Sequence, residues 1–152
     1  MTETVTPTHF VVNYRKDRVH HTDTIPATDA ATARKCAEDV ADRYGVESVY
    51  PVPLVGMPAT IHYVTDSSAA VVVKVNPKSV LIARVEIGPW EQDMRVDGAR
   101  DPNCFPVMVA EGITDKVIGE PHRYRRMPNG RITDGSIGVT LGYSISRRDY
   151  RD

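Results

Sequence analysis

The sequence predicts a strand-rich α+β chain in which a small N-terminal β-β-α-β unit packs with an SH3-like meander or barrel. Two observations predict this class. One helical pattern follows two short β-rich runs near the N-terminus, and from Gly56 onward β-branched runs alternate with tight polar turns. The chain has 152 residues, which suits one domain or two very small ones. We place a boundary near Gly56, giving units at residues 1–55 and 56–152 that could still form one compact domain.

The first unit is predicted to hold two strands, one helix and a third strand. His9–Tyr14 and Arg18–Thr24 are the first two β-rich runs, and Val46–Val52 is the third. The helix begins at Thr28, whose hydroxyl can cap the first turn, and Gly45 suits its C-terminal cap. Six apolar residues at three- and four-residue spacing form the buried stripe of this helix: Ala30, Ala33, Ala37, Val40, Ala41 and Tyr44.

The second unit begins with a predicted meander of three strands. Short polar turns separate its β-branched runs, which are Ala59–Val64, Ala69–Asn76 and Ser79–Ile87. A long irregular segment, Gly88–Asn103, carries the single tryptophan, Trp90. A loop of this length in a compact domain is usually functional or mobile.

The rest of the second unit is predicted to close the sheet. Phe105–Ala110 and His122–Arg126 are short strands, and Pro128–Arg131 has the composition of a hairpin turn. Ile137–Tyr143 is the closing strand, and Ser144–Asp152 is a charged, extended tail.

Charge and composition exclude some classes of function. The formal net charge is −1, which argues against a general nucleic-acid binder. The longest apolar stretch, Ala69–Val73, is far too short to span a bilayer. The polar start of the chain predicts no signal peptide, so we expect Cys36 and Cys104 to be reduced thiols in a cytosol. Cys36 is interpreted as a small core residue of the helix.

An arginine cluster near the C-terminus is the main candidate for a ligand site. Its residues are Arg123, Tyr124, Arg125, Arg126 and Arg131, and Trp90 of the long loop is added to them. Arginine forks bind phosphates with two hydrogen bonds, and an adjacent tyrosine can stack on a base. The alternative is a solvated strand face whose arginines pair with the acids of Gly88–Asp101. Alternation sends Arg123 and Arg125 to one face and Tyr124 and Arg126 to the other.

No motif for catalysis or metal binding is specific enough to assign. His20 and His21 are neighbours on a strand and point to opposite faces, and the other histidines lack ligand spacing. The acids between Glu86 and Asp101 are interleaved with arginines, which favours mutual pairing. Cys104 has no histidine near it in sequence to act as a base. We therefore assign no catalytic residue, no metal and no cofactor, and leave an enzyme acting through the acids of Glu86–Asp101 or through Cys104 as the third hypothesis.

Several short segments resemble a group of small uncharacterised proteins encoded by actinobacterial phages. The segments that carry the resemblance are Pro58–Asp66 running into Ala70–Val75, Asp101–Asn103 followed by Phe105–Val107, Arg123–Arg126 with Asn129–Arg131, and Leu141–Tyr143 before Arg147–Tyr150. Ser67 follows Asp66 where the pattern of the group has a basic residue. The resemblance covers residues 56–150 and implies a phage origin, but the group brings no established activity.

The first functional hypothesis is a phage-encoded, non-enzymatic binding protein acting in the host cytoplasm. Such a module would bind a phosphorylated small molecule or a host protein, for example as a counter-defence factor. The second hypothesis is a structural or assembly protein of the virion, which would add a strand to a neighbour's sheet. Both hypotheses allow the protein to be a homo-oligomer with a site between subunits, and neither involves a membrane.

Overall fold

The computed structural model describes residues 5–42, 45–95 and 107–149, and it is mostly antiparallel β-sheet. Strands account for 60% of the described residues and helix for 7%, which confirms a strand-rich fold. The boundary near Gly56 stays a prediction.

The described elements form two sheets. In chain order they are β1 (His9–Lys16), β2 (Val19–Pro26), α1 (Ala30–Glu38), β3 (Val46–Pro51), β4 (Pro58–His62), β5 (Ser67–Val75), β6 (Ser79–Ile87), β7 (Glu91–Gln92), β8 (Val107–Arg126), β9 (Ile132–Asp134), β10 (Ile137–Leu141) and β11 (Ile145–Asp149). The first sheet has three strands in the order β2-β1-β3, and the second has eight and takes in every strand from β4 onward.

The first sheet carries α1 on one face. Phe10, Val12 and Tyr14 of the central strand β1 are buried against Ala33 and Ala37 of the helix. Because alanine is small, α1 can lie close to the strands.

The start of α1 differs by one residue from the prediction. Asp29, not Thr28, is the N-cap, and its Oδ1 accepts a hydrogen bond of 2.7 Å from the backbone N–H of Thr32. This hydrogen bond lowers the pKa of the Asp29 carboxyl. A carboxylate suits this position because it also meets the positive end of the helix dipole.

The helix is shorter than its apolar pattern indicates. It ends at Glu38, and its buried residues are Ala33 and Ala37, whereas Val40 is 47% exposed. Cys36 is exposed, so its interpretation as a core residue is wrong. Successive helical residues are about 100° apart, which turns Cys36 away from the face that holds Ala37. No helix in the described part of the chain is both long enough and apolar enough to cross a membrane.

The second sheet closes on itself. Antiparallel pairings link β5 to β4, β4 to β10, β10 to β9, β9 to β8 and β8 to β6, and β6 pairs back with β5. A closed circuit leaves these six strands without a free edge along the paired segments. Its interior is the largest buried cluster, which includes Met57, Ile61, Val72, Ile82 and Tyr124.

The strand β8 is one continuous element of 20 residues, where the sequence predicts two short strands with a break between them. Gly119 and Pro121, which lie between the two predicted strands, are in the part of β8 that pairs with β6 through two register shifts. A bulge absorbs turn-forming residues without ending the strand.

The C-terminal segment is also more ordered than predicted. Ile145–Asp149 forms β11, which pairs with Val107–Glu111 of β8 and, at Arg147, with Ser67 of β5. The prediction of a charged, extended tail missed this strand because its only strongly apolar residue is Ile145.

The turn between β8 and β9 joins the two sheets. The side-chain amide of Asn13, which is 1% exposed, donates a hydrogen bond of 2.8 Å to the carbonyl of Asn129. Gly130 has φ of +94°, and a Cβ there would lie 2.8 Å from Cβ of Val11. Glycine is needed at this position both for the backbone conformation and for the close approach.

Candidate functional site

Alternation along β8 separates the arginine cluster into two sets. Arg123 and Arg125 are exposed on the outer face of the closed sheet, as predicted, whereas Tyr124 between them is 4% exposed. Two flanking strands extend the outer face, because Ser79 of β6 and Thr133 of β9 both lie opposite Arg125.

The outer face of β6, β8 and β9 contains a depression of about 720 Å³, which we call the basic depression. The residues that line it are Lys78, Ser79, Arg123, Arg125, Met127, Arg131, Thr133, Asp134 and Gly135. Four of them are cationic and one is acidic. The structure therefore brings together three of the predicted residues, Arg123, Arg125 and Arg131, and adds Lys78 to them.

The cationic groups of the basic depression are not neutralised by the residues around them. Among the residues that the structure describes, no carboxylate forms an ion pair with Arg123, Arg125 or Arg131. The one lining carboxylate, Asp134, is already engaged, since its Oδ2 lies 2.7 Å from Nε2 of His122. An anion would thus meet an excess of positive charge.

The alternative interpretation, in which these arginines pair with the acids of Gly88–Asp101, finds no support in the described part of that segment. Asp93 accepts a hydrogen bond of 2.9 Å from Nε of Arg95, which lowers the pKa of the Asp93 carboxyl. Glu86 lies 3.3 Å from Nζ of Lys116. Asp97 and Asp101 lie outside the described residues.

Tyr124 belongs to the interior of the closed sheet and not to the basic depression. Its ring meets that of His122 edge-on, with centroids 4.9 Å apart. Burial raises the pKa of Tyr124 to about 12, so the phenol stays protonated at neutral pH. The ring cannot stack on a ligand that is bound on the outer face.

Arg126 and Trp90 also lie away from the basic depression. Arg126 is half-buried, and its guanidinium donates a hydrogen bond of 2.8 Å to the carbonyl of Asn76. Trp90 precedes β7, at the opposite end of β8, where the guanidinium carbon of Arg148 lies 5.8 Å from its ring centroid.

Lys78 is the functional candidate that sequence reasoning missed. It lies in the turn before β6, and its carbonyl accepts a hydrogen bond of 3.0 Å from the backbone N–H of Arg126. The pairing of β6 with β8 places it beside the arginines. The sequence does show a basic residue directly before the strand that starts at Ser79. It becomes a candidate only when that strand is paired with the strand that carries Arg123 and Arg125.

The hydroxyl groups of the basic depression belong to Ser79 and Thr133. Both have partners: Ser79 accepts from the side-chain amide of Asn76 at 3.3 Å, and Thr133 donates to the carbonyl of Ile137 at 2.9 Å. Within the described residues, no group of three His, Cys, Asp or Glu side chains could hold a metal ion. Cys104 lies outside the described residues.

The comparisons with known proteins add no constraint, since no family model, no curated protein and no solved structure matches the chain. The assignment of a function depends on the chemistry of the depression itself.

Proposed function

We propose that the protein is a non-enzymatic binding module that recognises phosphorylated small molecules at the basic depression. One observation carries the proposal: four cationic side chains surround one concave surface whose single carboxylate is already engaged by His122. Guanidinium forks bind phosphate oxygens with two parallel hydrogen bonds, and a lysine adds a mobile point charge.

The lining also defines which part of a ligand is recognised. No aromatic ring lies among the residues that line the depression, because Tyr124 faces the interior and Trp90 lies at the far end of β8. Phosphate groups, and not a base, would therefore supply the binding energy. A compact polyanion such as pyrophosphate should bind about as well as a nucleoside diphosphate.

The resemblance to actinobacterial phage proteins supports a biological setting for this activity. In that setting the protein is phage-encoded and acts in the host cytoplasm, as a counter-defence factor that sequesters a phosphorylated signal or binds a host protein. The scaffold in this proposal is an SH3-like barrel that packs with the α+β N-terminal unit, which is consistent with the short-turned meander of β4, β5 and β6.

Isothermal titration with pyrophosphate tests the ligand proposal. We expect saturable binding by the full chain and a loss of about 100-fold or more in affinity for the double variant Arg123→Gln/Arg125→Gln, since charged hydrogen bonds contribute about 1.5–3 kcal/mol each. The matched control is Arg34→Gln/Lys35→Gln on the exposed side of α1, which changes the net charge equally. Adenosine, which has the base but no phosphate, should not compete with pyrophosphate for the basic depression.

Two results would overturn the proposal. One is the absence of pyrophosphate binding at millimolar concentration. The other is an equal loss of affinity in the two double variants, which would mean that only the net charge matters. Thermal unfolding without ligand checks that both variants are folded. With pyrophosphate added, the melting temperature should rise wherever it binds, because a bound ligand must stabilise the native state.

A virion structural or assembly role is the second candidate, and the edge of the first sheet favours it. Among the described strands, β2 pairs with β1 alone, so one side of an eight-residue strand is open to pairing. A neighbouring chain could add a strand there. Mass spectrometry of purified particles tests this role, and absence of the chain from them would exclude it.

A further inference from the structure

A second concave surface lies between the two sheets, on the other side of β9 from the basic depression. We call it the apolar cleft and define it by Phe10 and Tyr50 of the first sheet, Ile132 and Leu141 of the second, Tyr143 between β10 and β11, and Asp29 at the start of α1. Its volume is about 440 Å³, which is within the range of small-molecule sites, about 300–1,000 Å³.

The walls of the apolar cleft are held in place by the junction of the sheets. Gly130 lines it and is in close approach to Val11 and Tyr50, and Asn13 is bonded to Asn129 in the same turn. Phe10 and Ile132 are each 3% exposed and belong to the cores of the two sheets. The cleft is therefore formed by rigid elements, as a preformed binding site requires.

The polar groups of the apolar cleft are few and differ from those of the basic depression. No Arg, Lys or His is among the described residues that line it, and its single ionisable acid is Asp29. Two phenols, Tyr50 and Tyr143, line it, and no side-chain hydrogen bond involves either hydroxyl among the described residues. These groups favour an uncharged ligand and repel an anion.

We propose that the apolar cleft binds a small, uncharged molecule with an aromatic ring, which the rings of Phe10, Tyr50 and Tyr143 contact while the phenols offer hydrogen bonds. Aromatic pairs add stabilisation beyond the area that they bury. This site is independent of the basic depression, and its ligand is of the opposite chemical class.

A matched pair of fluorescent probes tests the proposal with the full chain. N-phenyl-1-naphthylamine is neutral, and 8-anilinonaphthalene-1-sulfonate has the same ring system with a sulfonate added. We expect saturable enhancement of the neutral probe at one site per chain. We expect binding of the sulfonate at this site to be weaker by about tenfold, because the cleft lacks a cation and holds one carboxylate.

Two exposed positions of α1 provide the variant and its control. Ala30 lines the apolar cleft, whereas the next residue, Ala31, does not. Ala30→Trp should fill the cleft and weaken the neutral probe by about tenfold or more, and Ala31→Trp should leave its affinity within about twofold. The proposal would be overturned if the two variants bound the neutral probe equally. It would also be overturned if the two probes bound the cleft equally, or if the neutral probe showed no saturable binding. Pyrophosphate should not displace the neutral probe, which separates this test from that of the basic depression.

Discussion

The basic depression and the apolar cleft lie on either side of the same short strand, yet they have opposite chemistries. Arg131 and Thr133 line the depression, and the residues that alternate with them, Gly130 and Ile132, line the cleft. The side chain of Ile132 points to the side of the strand opposite to those of its neighbours Arg131 and Thr133, as alternation along a strand requires. Consecutive residues of one hairpin thus contribute to both of the sites that we propose.

The largest expected difference between the two sides is in stability. Ile132→Ala removes a buried side chain of the cleft and should lower the free energy of unfolding by about 2–5 kcal/mol. Arg131→Ala, its neighbour on the depression side, is exposed and should change this energy by no more than about 0.5 kcal/mol. Urea denaturation measures both, and similar losses in the two variants would contradict the assigned faces.

The second prediction concerns the turn that joins the sheets. Gly130→Ala should lower the free energy of unfolding by about 2–4 kcal/mol, because it combines a left-handed backbone with a steric overlap at Val11. Gly135→Ala is the control: its φ is +61°, nothing lies within 4 Å of the added Cβ, and about 1 kcal/mol is expected. Gly130→Ala should also weaken the neutral probe in the apolar cleft. Unchanged probe binding would show that the turn does not shape the cleft.

Salt should distinguish the two surfaces without any mutation. Raising the ionic strength from about 0.01 M to about 0.15 M shortens the Debye length from about 30 Å to about 8 Å, and we expect pyrophosphate affinity to fall by about fivefold or more. Binding of N-phenyl-1-naphthylamine should change by less than about twofold, since it involves no charge. Titrations of one protein preparation at both salt concentrations make the comparison, which fails if both ligands respond alike.

The smallest expected effect concerns the acid of the basic depression. Asp134→Asn removes its only lining carboxylate among the described residues and should raise pyrophosphate affinity by about two- to fivefold, the range of exposed charge interactions. Glu38→Gln, exposed on α1, changes the net charge equally and serves as the control. A weaker affinity in Asp134→Asn would mean that the carboxylate helps to position the ligand.

The sequence predicted those features that depend on local alternation. The opposite orientations of Arg125 and Tyr124 follow from the period of a strand alone. The same reasoning could not supply Lys78, because its position beside Arg125 depends on the pairing of β6 with β8. Nor could it supply the apolar cleft, which depends on the packing of two sheets that are distant in sequence.

The errors in the prediction have a common physical cause. The prediction divided β8 into two short strands, and the scarcity of strongly apolar residues hid β11. In both segments, pairing with neighbouring strands outweighs the local preference of the residues. The exposed Val40 is a further case, in which a short helix buries fewer positions than its predicted apolar stripe contains.

The closed circuit of the second sheet has a consequence for the order of folding. β4 is paired on one side by β5, its neighbour in sequence, and on the other by β10, so that Ala59 lies opposite Leu141. During synthesis, the first three strands of the sheet can pair as they appear, but β4 keeps an open edge until the last few strands have left the ribosome. Because such distant pairings must overcome a large loop entropy, we expect folding on the scale of milliseconds to about a second. Until β10 arrives, the nascent chain exposes an edge of β4 that can pair with another copy.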